Sequence, residues 1–106
     1  MKYKVIFVNK ELENAFNKLE DSDPIKKALI RAIKNIQEDP RAGRNVIKKI
    51  IPKEIIKKYE VDNLRIYNLP IAWRMLYSIT SNGIEIISVI LDWMNHKDYE
   101  KLFKFY

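Results

Sequence analysis

A hairpin in the second half of the chain constrains the fold more than any other feature of the sequence. Residues 81–83 read Ser-Asn-Gly, and Asn-Gly supplies the positive φ angles of a tight turn between two strands. Residues 72–80 before it alternate between two sets of side chains, which is typical of a strand with two different faces. Residues 84–91 after it are almost wholly apolar, which favours a central strand covered on both faces. The sequence therefore predicts a fold built around a β-sheet.

The first forty residues predict a strand followed by two helices. Residues 2–8 end in β-branched and aromatic types, which favour a strand. Asn9 can cap a helix over residues 10–20, and Asp23-Pro24 is a start signal for a second helix over residues 24–38. Apolar residues recur at helical spacing in both segments. Two consecutive amphipathic helices with a Pro-marked turn predict an antiparallel helical hairpin.

The remaining segments complete an α+β fold. Residues 41–53 have no clean period and predict a basic loop, and a short helix is predicted over residues 53–59. The other predicted elements are strands over 64–68, 72–80 and 84–92 and a helix over 97–106. We therefore expect a small antiparallel sheet of about four strands, with the helical hairpin packed on one face and a short C-terminal helix. The N-terminal strand is predicted to pair inside the sheet, and the opposite face to be concave, partly open and basic. With no repeat or linker, residues 1–106 are predicted to form a single domain.

Scarce residue types exclude several classes of protein. The sequence has no cysteine, which excludes disulfide frameworks and thiolate chemistry. Its single histidine, His96, excludes two-histidine metal motifs. Two isolated glycines, Gly43 and Gly83, cannot form a phosphate-binding or dinucleotide-binding loop. No apolar run reaches the roughly 18–20 residues that cross a bilayer, and the N-terminus does not resemble a signal peptide. We expect a soluble cytoplasmic protein that uses no cofactor and no metal.

Positive charge is concentrated in one short stretch. The chain has a formal net charge of +6, and residues 41–58 alone hold seven basic side chains against one acidic. Such a patch attracts polyanions and raises their encounter rate. Three interpretations remain open from charge alone: a nucleic-acid ligand, an acidic protein partner, or a solvated face of a lysine-rich chain. Some of the aromatic residues in the C-terminal half are expected in the core, Trp73 and Tyr77 above all, but one or two could stack on RNA bases; those considered are Tyr59, Tyr67, Trp73, Tyr77, Trp93 and Tyr99.

Arg74 is the most unusual charged residue. In a strand over residues 73–79, Trp73, Met75, Tyr77 and Ile79 would lie on one face, and Arg74 and Leu76 on the other. An Arg in the middle of such a strand is uncommon because burying it without a partner is costly. Two explanations are equally good. One is a structural Arg that is paired with an acid or keeps its head group in water; the other is an Arg that projects from a rigid sheet and binds the phosphate of a ligand.

His96 follows the last predicted strand. Histidine is the residue type that most readily exchanges protons near neutral pH, and Asp92, Asp98 and Tyr99 are near enough in sequence to orient it. A surface histidine at a helix start is the ordinary alternative. For His96 to meet Arg74, residues 92–96 are predicted to form a loop that folds back towards the sheet.

Three segments carry a resemblance to a known family. Residues 57–59 read Lys-Lys-Tyr, followed by Asp-Asn-Leu at 62–64; residues 69–79 contain an aromatic-Arg-x-x-Tyr motif; and residues 96–99 read His-Lys-Asp-Tyr before the last helix. With the order of the predicted elements, these motifs make the chain similar to the RelE/ParE superfamily of type II toxin–antitoxin toxins over nearly its whole length.

The resemblance implies a small basic endoribonuclease that cuts mRNA in the ribosomal A site without a metal. In that chemistry the ribose 2′-OH attacks the adjacent phosphate, a base takes the hydroxyl proton, an acid protonates the leaving 5′ oxygen, and cations stabilise the developing charge. The resemblance assigns catalytic positions to Arg74, on the scissile phosphate, and to His96, Tyr99 and Lys57. The side chains it assigns to RNA binding are Arg44, Lys48, Lys49, Lys53 and Lys58.

The family also leaves an alternative open. Some RelE toxins carry a further Arg after the last strand, and residues 92–95 contain none. ParE-like relatives lack the ribonuclease residues and inhibit DNA gyrase by binding; His96 favours the ribonuclease. The partners implied are an acidic antitoxin, in a toxin–antitoxin hetero-oligomer, and mRNA with ribosomal RNA.

Overall fold

A five-stranded sheet forms the centre of the structure, a computed structural model that describes residues 2–104. Its strands are β1 (Lys2–Phe7), β2 (Arg44–Asn45), β3 (Arg65–Leu69), β4 (Trp73–Ser81) and β5 (Glu85–Met94). They lie in the order β1-β5-β4-β3-β2. β1 runs parallel to β5, and every other neighbouring pair is antiparallel. The α+β class is confirmed, but the sheet is mixed with five strands, where an antiparallel sheet of about four was predicted.

The two edges of the sheet account for this difference. β2 adds a fifth strand inside the predicted loop 41–53, and its two residues are too few to show a strand pattern. β1 lies at the opposite edge and pairs only with β5, so the prediction that it pairs inside the sheet is wrong. Its charged Lys2 and Lys4 suit an edge, and Gln37 donates a hydrogen bond to the outer carbonyl of Tyr3.

Four helices accompany the sheet: α1 (Lys10–Lys18), α2 (Pro24–Glu38), α3 (Lys53–Tyr59) and α4 (His96–Phe103). The predicted caps are confirmed, because Asn9 accepts from the Leu12 N–H and Asp23 from the Ile25 N–H. The C-terminal helix begins one residue before its predicted start, and the predicted residues 105 and 106 lie outside the described residues. No helix in residues 2–104 has the length and apolar character needed to span a bilayer.

α1 and α2 cover one face of the sheet. Their apolar stripes pack with Met75, Tyr77 and Ile90 in one core cluster. The two helices meet at their turn, where Lys26 donates to the Leu19 carbonyl. Elsewhere each helix packs mainly on the sheet, so a helical hairpin packed on itself is not an accurate description.

α3 and α4 cover the other face, which was predicted to be open and basic. A second core cluster lies there. It contains Ile55 of α3 and Tyr99 of α4, which pack with Leu76 of β4, Leu91 of β5 and Leu64 just before β3. The alternation predicted for β4 is confirmed, since Met75 and Leu76 belong to different clusters. The apolar character of β5 favours burial of both of its faces. α1 and α2 cover one face, and the short helices α3 and α4 cover the other.

The β4–β5 hairpin sets the position of the site. Gly83 has the positive φ angle expected at the turn, 89°, and the three-residue connection is shifted by one position, to residues 82–84. β5 carries one extra residue opposite the Leu76–Tyr77 step, a bulge that pairs Leu76 with Asp92 and Arg74 with Met94. β5 therefore runs two residues past its predicted end, and α4 starts almost at once. The loop that was predicted to fold back over residues 92–96 does not exist.

Candidate active site around Tyr99

Three of the four predicted catalytic residues, Arg74, His96 and Tyr99, meet at the Tyr99 side chain. It lies on α4 with only 6% of its surface exposed. The Arg74 guanidinium carbon is 5.1 Å from the centre of its ring. The His96 ring stacks beside it at 6.4 Å, and the Phe103 ring packs at 4.7 Å. One buried aromatic ring thus holds groups from β4 and from the start of α4.

A second arginine reaches the same tyrosine from the edge of the sheet. Arg44 Nη2 donates to the Tyr99 hydroxyl oxygen at 2.9 Å, and Arg44 Nη1 donates to Asn68 Oδ1 at 3.0 Å. Asn68 is directly opposite Arg74 in the β3–β4 pairing. Arg44 and Arg74 therefore both lie against Tyr99, so two cations converge on one hydroxyphenyl group.

The segment that carries Arg44 is anchored in the core by Tyr77. The Tyr77 hydroxyl donates to the Pro40 carbonyl at 2.6 Å and accepts from the Gly43 N–H at 2.8 Å. Burial raises the pKa of the Tyr77 hydroxyl, so it stays a neutral donor and acceptor. Any Cβ on Gly43 would lie 2.7 Å from the Tyr77 ring, so only glycine fits here. This contact fixes the backbone one residue before Arg44.

Arg74 has donors that the protein does not use. Its Nη1 donates to the Trp73 carbonyl at 3.1 Å, while its buried Nε has no hydrogen-bond partner. Within residues 2–104 no acidic side chain forms an ion pair with it. A buried N–H donor without a partner costs free energy unless a ligand supplies an acceptor. The paired structural Arg considered from the sequence is therefore not what the structure contains.

His96 lies beside the same tyrosine. Its Nε2 is 3.2 Å from Glu100 Oε1, one helical turn along α4. The His96 ring centre lies 6.4 Å from the Tyr99 ring centre, and the Arg74 guanidinium carbon lies 5.1 Å from it. The distance between His96 and Arg74 therefore cannot exceed the sum of these two distances. Glu100, and not Asp92 or Asp98, is the acid that orients His96.

The predicted basic residues are exposed on the segment from β2 to α3. Lys48 and Lys49 lie in a short 3₁₀ turn (Lys48–Ile50), and Lys53 begins α3. Lys57 is exposed in the last turn of α3. The structure brings Arg44 into the Tyr99 group, whereas the group as described contains none of the predicted lysines.

Two further residues of the site were missed from the sequence. Asn68 holds Arg44, and only the pairing of β3 with β4 reveals it. Glu100 holds His96, and the i,i+4 spacing of an acid and a histidine on one predicted helix was a usable signal. The role of Arg44 itself depends on a contact between residues 55 positions apart.

The arrangement is suited to binding an anion. Two guanidinium groups, one with unused donors, lie beside a hydroxyl and an imidazole that can exchange protons. Arginine forks match phosphate geometry better than any other side chain. In residues 2–104, no cluster of three or more His, Asp or Glu side chains offers a metal site.

Comparison with known proteins adds no relative: no family model, no curated protein and no solved structure matches this chain. Any functional conclusion therefore depends on the geometry around Tyr99 and on the motifs in the sequence.

Proposed function

We propose that the protein is the toxin of a type II toxin–antitoxin system, with a RelE-like fold, and that it is an endoribonuclease that cleaves mRNA at the ribosome without a metal. The observation that carries the proposal is the convergence of Arg44, Arg74 and His96 on the ring of Tyr99. These residues come from β2, β4 and α4. Core packing alone has no need of two arginines and a histidine around one tyrosine.

Arg74 holds the scissile phosphate in this proposal. Among residues 2–104 its Nε has no acceptor and its guanidinium has no acidic partner, so Nε can donate to a phosphate oxygen without breaking an existing ion pair. β4 is hydrogen-bonded on both sides, which keeps the guanidinium in position as charge develops on the phosphorane. Donors fixed in advance are worth more than mobile ones, because they need no reorganisation during the reaction.

His96 and Tyr99 move the protons. The ribose 2′-OH attacks the adjacent phosphorus, the P–O5′ bond breaks, and the products are a 2′,3′-cyclic phosphate and a 5′-hydroxyl. One group takes the 2′-OH proton and another donates a proton to the leaving 5′ oxygen. Tyr99 accepts a hydrogen bond from Arg44, which holds the phenol oxygen in position for proton transfer. The imidazole of His96 serves as its counterpart, and Glu100 holds that ring in place.

The exposed lysines hold the RNA. Lys48, Lys49, Lys53 and Lys58 extend from the 3₁₀ turn to the end of α3, and with Arg44 they account for most of the charge excess of the chain. Lys57, exposed in the last turn of the same helix, adds positive charge to this RNA-binding surface. Contacts of this kind position the backbone and make binding depend on salt.

An acidic antitoxin is the proposed protein partner. Three isoleucines on the basic segment are exposed: Ile47 by 60%, Ile50 by 50% and Ile56 by 39%. They alternate with lysines, so one surface offers apolar contacts and positive charge together. An amphipathic acidic segment complements both features.

The experiment that tests the proposal is induced expression in growing cells, followed by mapping of mRNA 5′ ends. The unaltered protein is expected to generate new 5′-hydroxyl ends inside coding regions and Arg74→Ala to generate few. Arg31→Ala removes the same charge from the exposed face of α2 and serves as the control. New ends that are absent with the unaltered protein, or unchanged with a folded Arg74→Ala, contradict the proposal.

A further inference from the structure

A cavity of about 630 Å³ lies directly beside the Tyr99 group, between α3, α4 and the end of β5. Its lining residues include immediate chain neighbours of the proposed catalytic residues: Trp73 precedes Arg74, Asn95 precedes His96, and Asp98 precedes Tyr99. Met94, another lining residue, pairs with Arg74 across the sheet. The cavity therefore adjoins the part of the sheet that carries Arg74.

Asp92 is a half-buried acid in the lining of the cavity. The bulge in β5 pairs it with Leu76, so its side chain lies on the face covered by α3 and α4. One carboxylate oxygen accepts from the Trp93 N–H at 2.8 Å. Burial raises the pKa of Asp92 above its ordinary value, Lys58 opposes that rise, and Asp98 adds to it. A carboxylate offers about four acceptor positions, so most of the hydrogen-bonding capacity of Asp92 remains for a ligand.

The rest of the lining is mixed. Tyr59, Met94 and Leu102 contribute apolar surface from the face under α3 and α4, and Trp73 and Trp93, which pack mainly against the other core cluster, complete the wall. Lys58 and Lys101 contribute positive charge, and Glu54 and Asp98 negative charge. Lys58 Nζ lies 5.3 Å from the centre of the Tyr59 ring. Aromatic groups stack on nucleobases, and lysines neutralise the phosphates that accompany them.

We propose that this cavity binds a guanine base, with the Asp92 carboxylate accepting from the N1–H and the N2 amino group. This inference rests on the proposed function, since it identifies the nucleotide beside the cleaved phosphate. Guanine is the base that presents two adjacent donors on its Watson–Crick edge, and they match the two oxygens of a carboxylate. Cytosine and adenine present one exocyclic amino group each, and uracil a single ring N–H. A paired guanine also compensates for the cost of keeping Asp92 charged in a partly buried site.

The test uses the tryptophan fluorescence of the full chain. Both tryptophans of the sequence line the cavity, so a bound base changes the signal directly. The protein is titrated with the monophosphates of guanosine, adenosine, cytidine, uridine and inosine. We expect GMP to bind about tenfold or more tightly than the other three standard nucleotides, which is the size of a good bidentate contact. Inosine lacks the N2 amino group, and we expect its monophosphate to bind about tenfold more weakly than GMP.

Asp92→Asn and the matched control Asp62→Asn identify the acid responsible. Asp62 is an exposed aspartate, so Asp62→Asn makes the same chemical change and removes the same charge. We expect Asp92→Asn to stay folded by circular dichroism and lose the preference for GMP, and Asp62→Asn to keep it. Equal binding of all nucleotides by the unaltered protein, or a preserved preference in Asp92→Asn, overturns the inference.

The titration involves no cleavage, so the two proposals can fail separately. A protein that prefers GMP but cuts no mRNA overturns only the proposed function. A protein that cuts mRNA but binds the five nucleotides equally overturns only the guanine site.

Discussion

Arg44 and Tyr99, 55 positions apart in the chain, are joined by a 2.9 Å hydrogen bond from the guanidinium to the phenol oxygen. The bond links a two-residue edge strand to the C-terminal helix across the end of the sheet. It also orients the tyrosine hydroxyl in the group that contains Arg74 and His96. The consequences of this contact can be measured.

Tyr99→Phe removes the hydroxyl and keeps the ring that packs against Arg74 and Phe103. We expect the cleavage rate on ribosome-bound mRNA to fall by about 10²–10⁴, the range for loss of a group that transfers a proton. Loss of the hydrogen bond from Arg44 is expected to lower the free energy of unfolding by about 1 kcal/mol. Tyr3→Phe, in the edge strand β1, is the control and is expected to change neither quantity. Equal initial rates for the two variants would show that the Tyr99 hydroxyl takes no part.

Arg74→Lys distinguishes a planar fork from a simple positive charge. We expect Arg74→Ala to lose about 10²–10³ in rate, as for removal of one preorganised donor. Arg74→Lys is expected to regain little, because an ammonium cannot make two parallel hydrogen bonds to a phosphate. Both variants are expected to unfold at nearly the wild-type temperature, since Arg74 has no ion pair to lose within residues 2–104. Single-turnover rates and thermal melts measure the two effects, and a Lys variant as fast as the native protein would contradict the fork.

Tyr77→Phe tests the anchor of the Arg44 segment. It leaves the Gly43 N–H and the Pro40 carbonyl without their buried partner, which is expected to cost about 1–3 kcal/mol of stability. Because burial raises the Tyr77 pKa above 10.0, the folded protein keeps a proton that the unfolded chain releases. The contribution of Tyr77 to the free energy of unfolding is therefore constant below pH 10, and it falls as the pH rises through the pKa of Tyr77 in the folded protein. Denaturant unfolding at several pH values should show that this fall is absent from Tyr77→Phe.

The order of elements and most of their bounds follow from the sequence, because caps, Pro signals and alternation act locally. The helix over Pro24–Glu38 matches its prediction, and the alternation along β4 correctly separates Met75 from Leu76. The parallel pairing of β1 with β5 depends on contacts between the two ends of the chain, which no local pattern encodes. No local pattern encodes the packing of α3 and α4 on the second face of the sheet either, because each helix is too short for its sequence to show what it packs against.

The sequence singles out some residues of the candidate site but not their arrangement. The strand position of Arg74 and the lone His96 singled them out. Their distance depends on the bulge in β5 and on its extension to Met94, neither of which the sequence pattern shows. Arg44 was identified only as part of a basic patch, because its contact with Tyr99 exists only in the folded sheet.

The proposed antitoxin should co-purify with the protein from its native host. We expect a small acidic protein whose binding weakens with added salt, because the lysines between Ile47 and Lys58 contribute charge. The decrease should be shallower than for RNA binding, since contacts with the exposed isoleucines are not screened. Affinity measured across a salt series for both ligands makes the comparison. Recovery of no small acidic protein would contradict the partnership.

The central claim is that Arg74 and His96 cut RNA together, and one double variant tests it most directly. Arg74→Ala with His96→Gln is induced in growing cells beside the native protein, with folding checked by circular dichroism and growth recorded while mRNA 5′ ends are mapped. The account predicts that the native protein stops growth and produces new 5′ ends, and that the folded double variant does neither. A folded double variant that inhibits growth as strongly as the native chain would contradict the account, and inhibition of gyrase by binding would then be the better explanation.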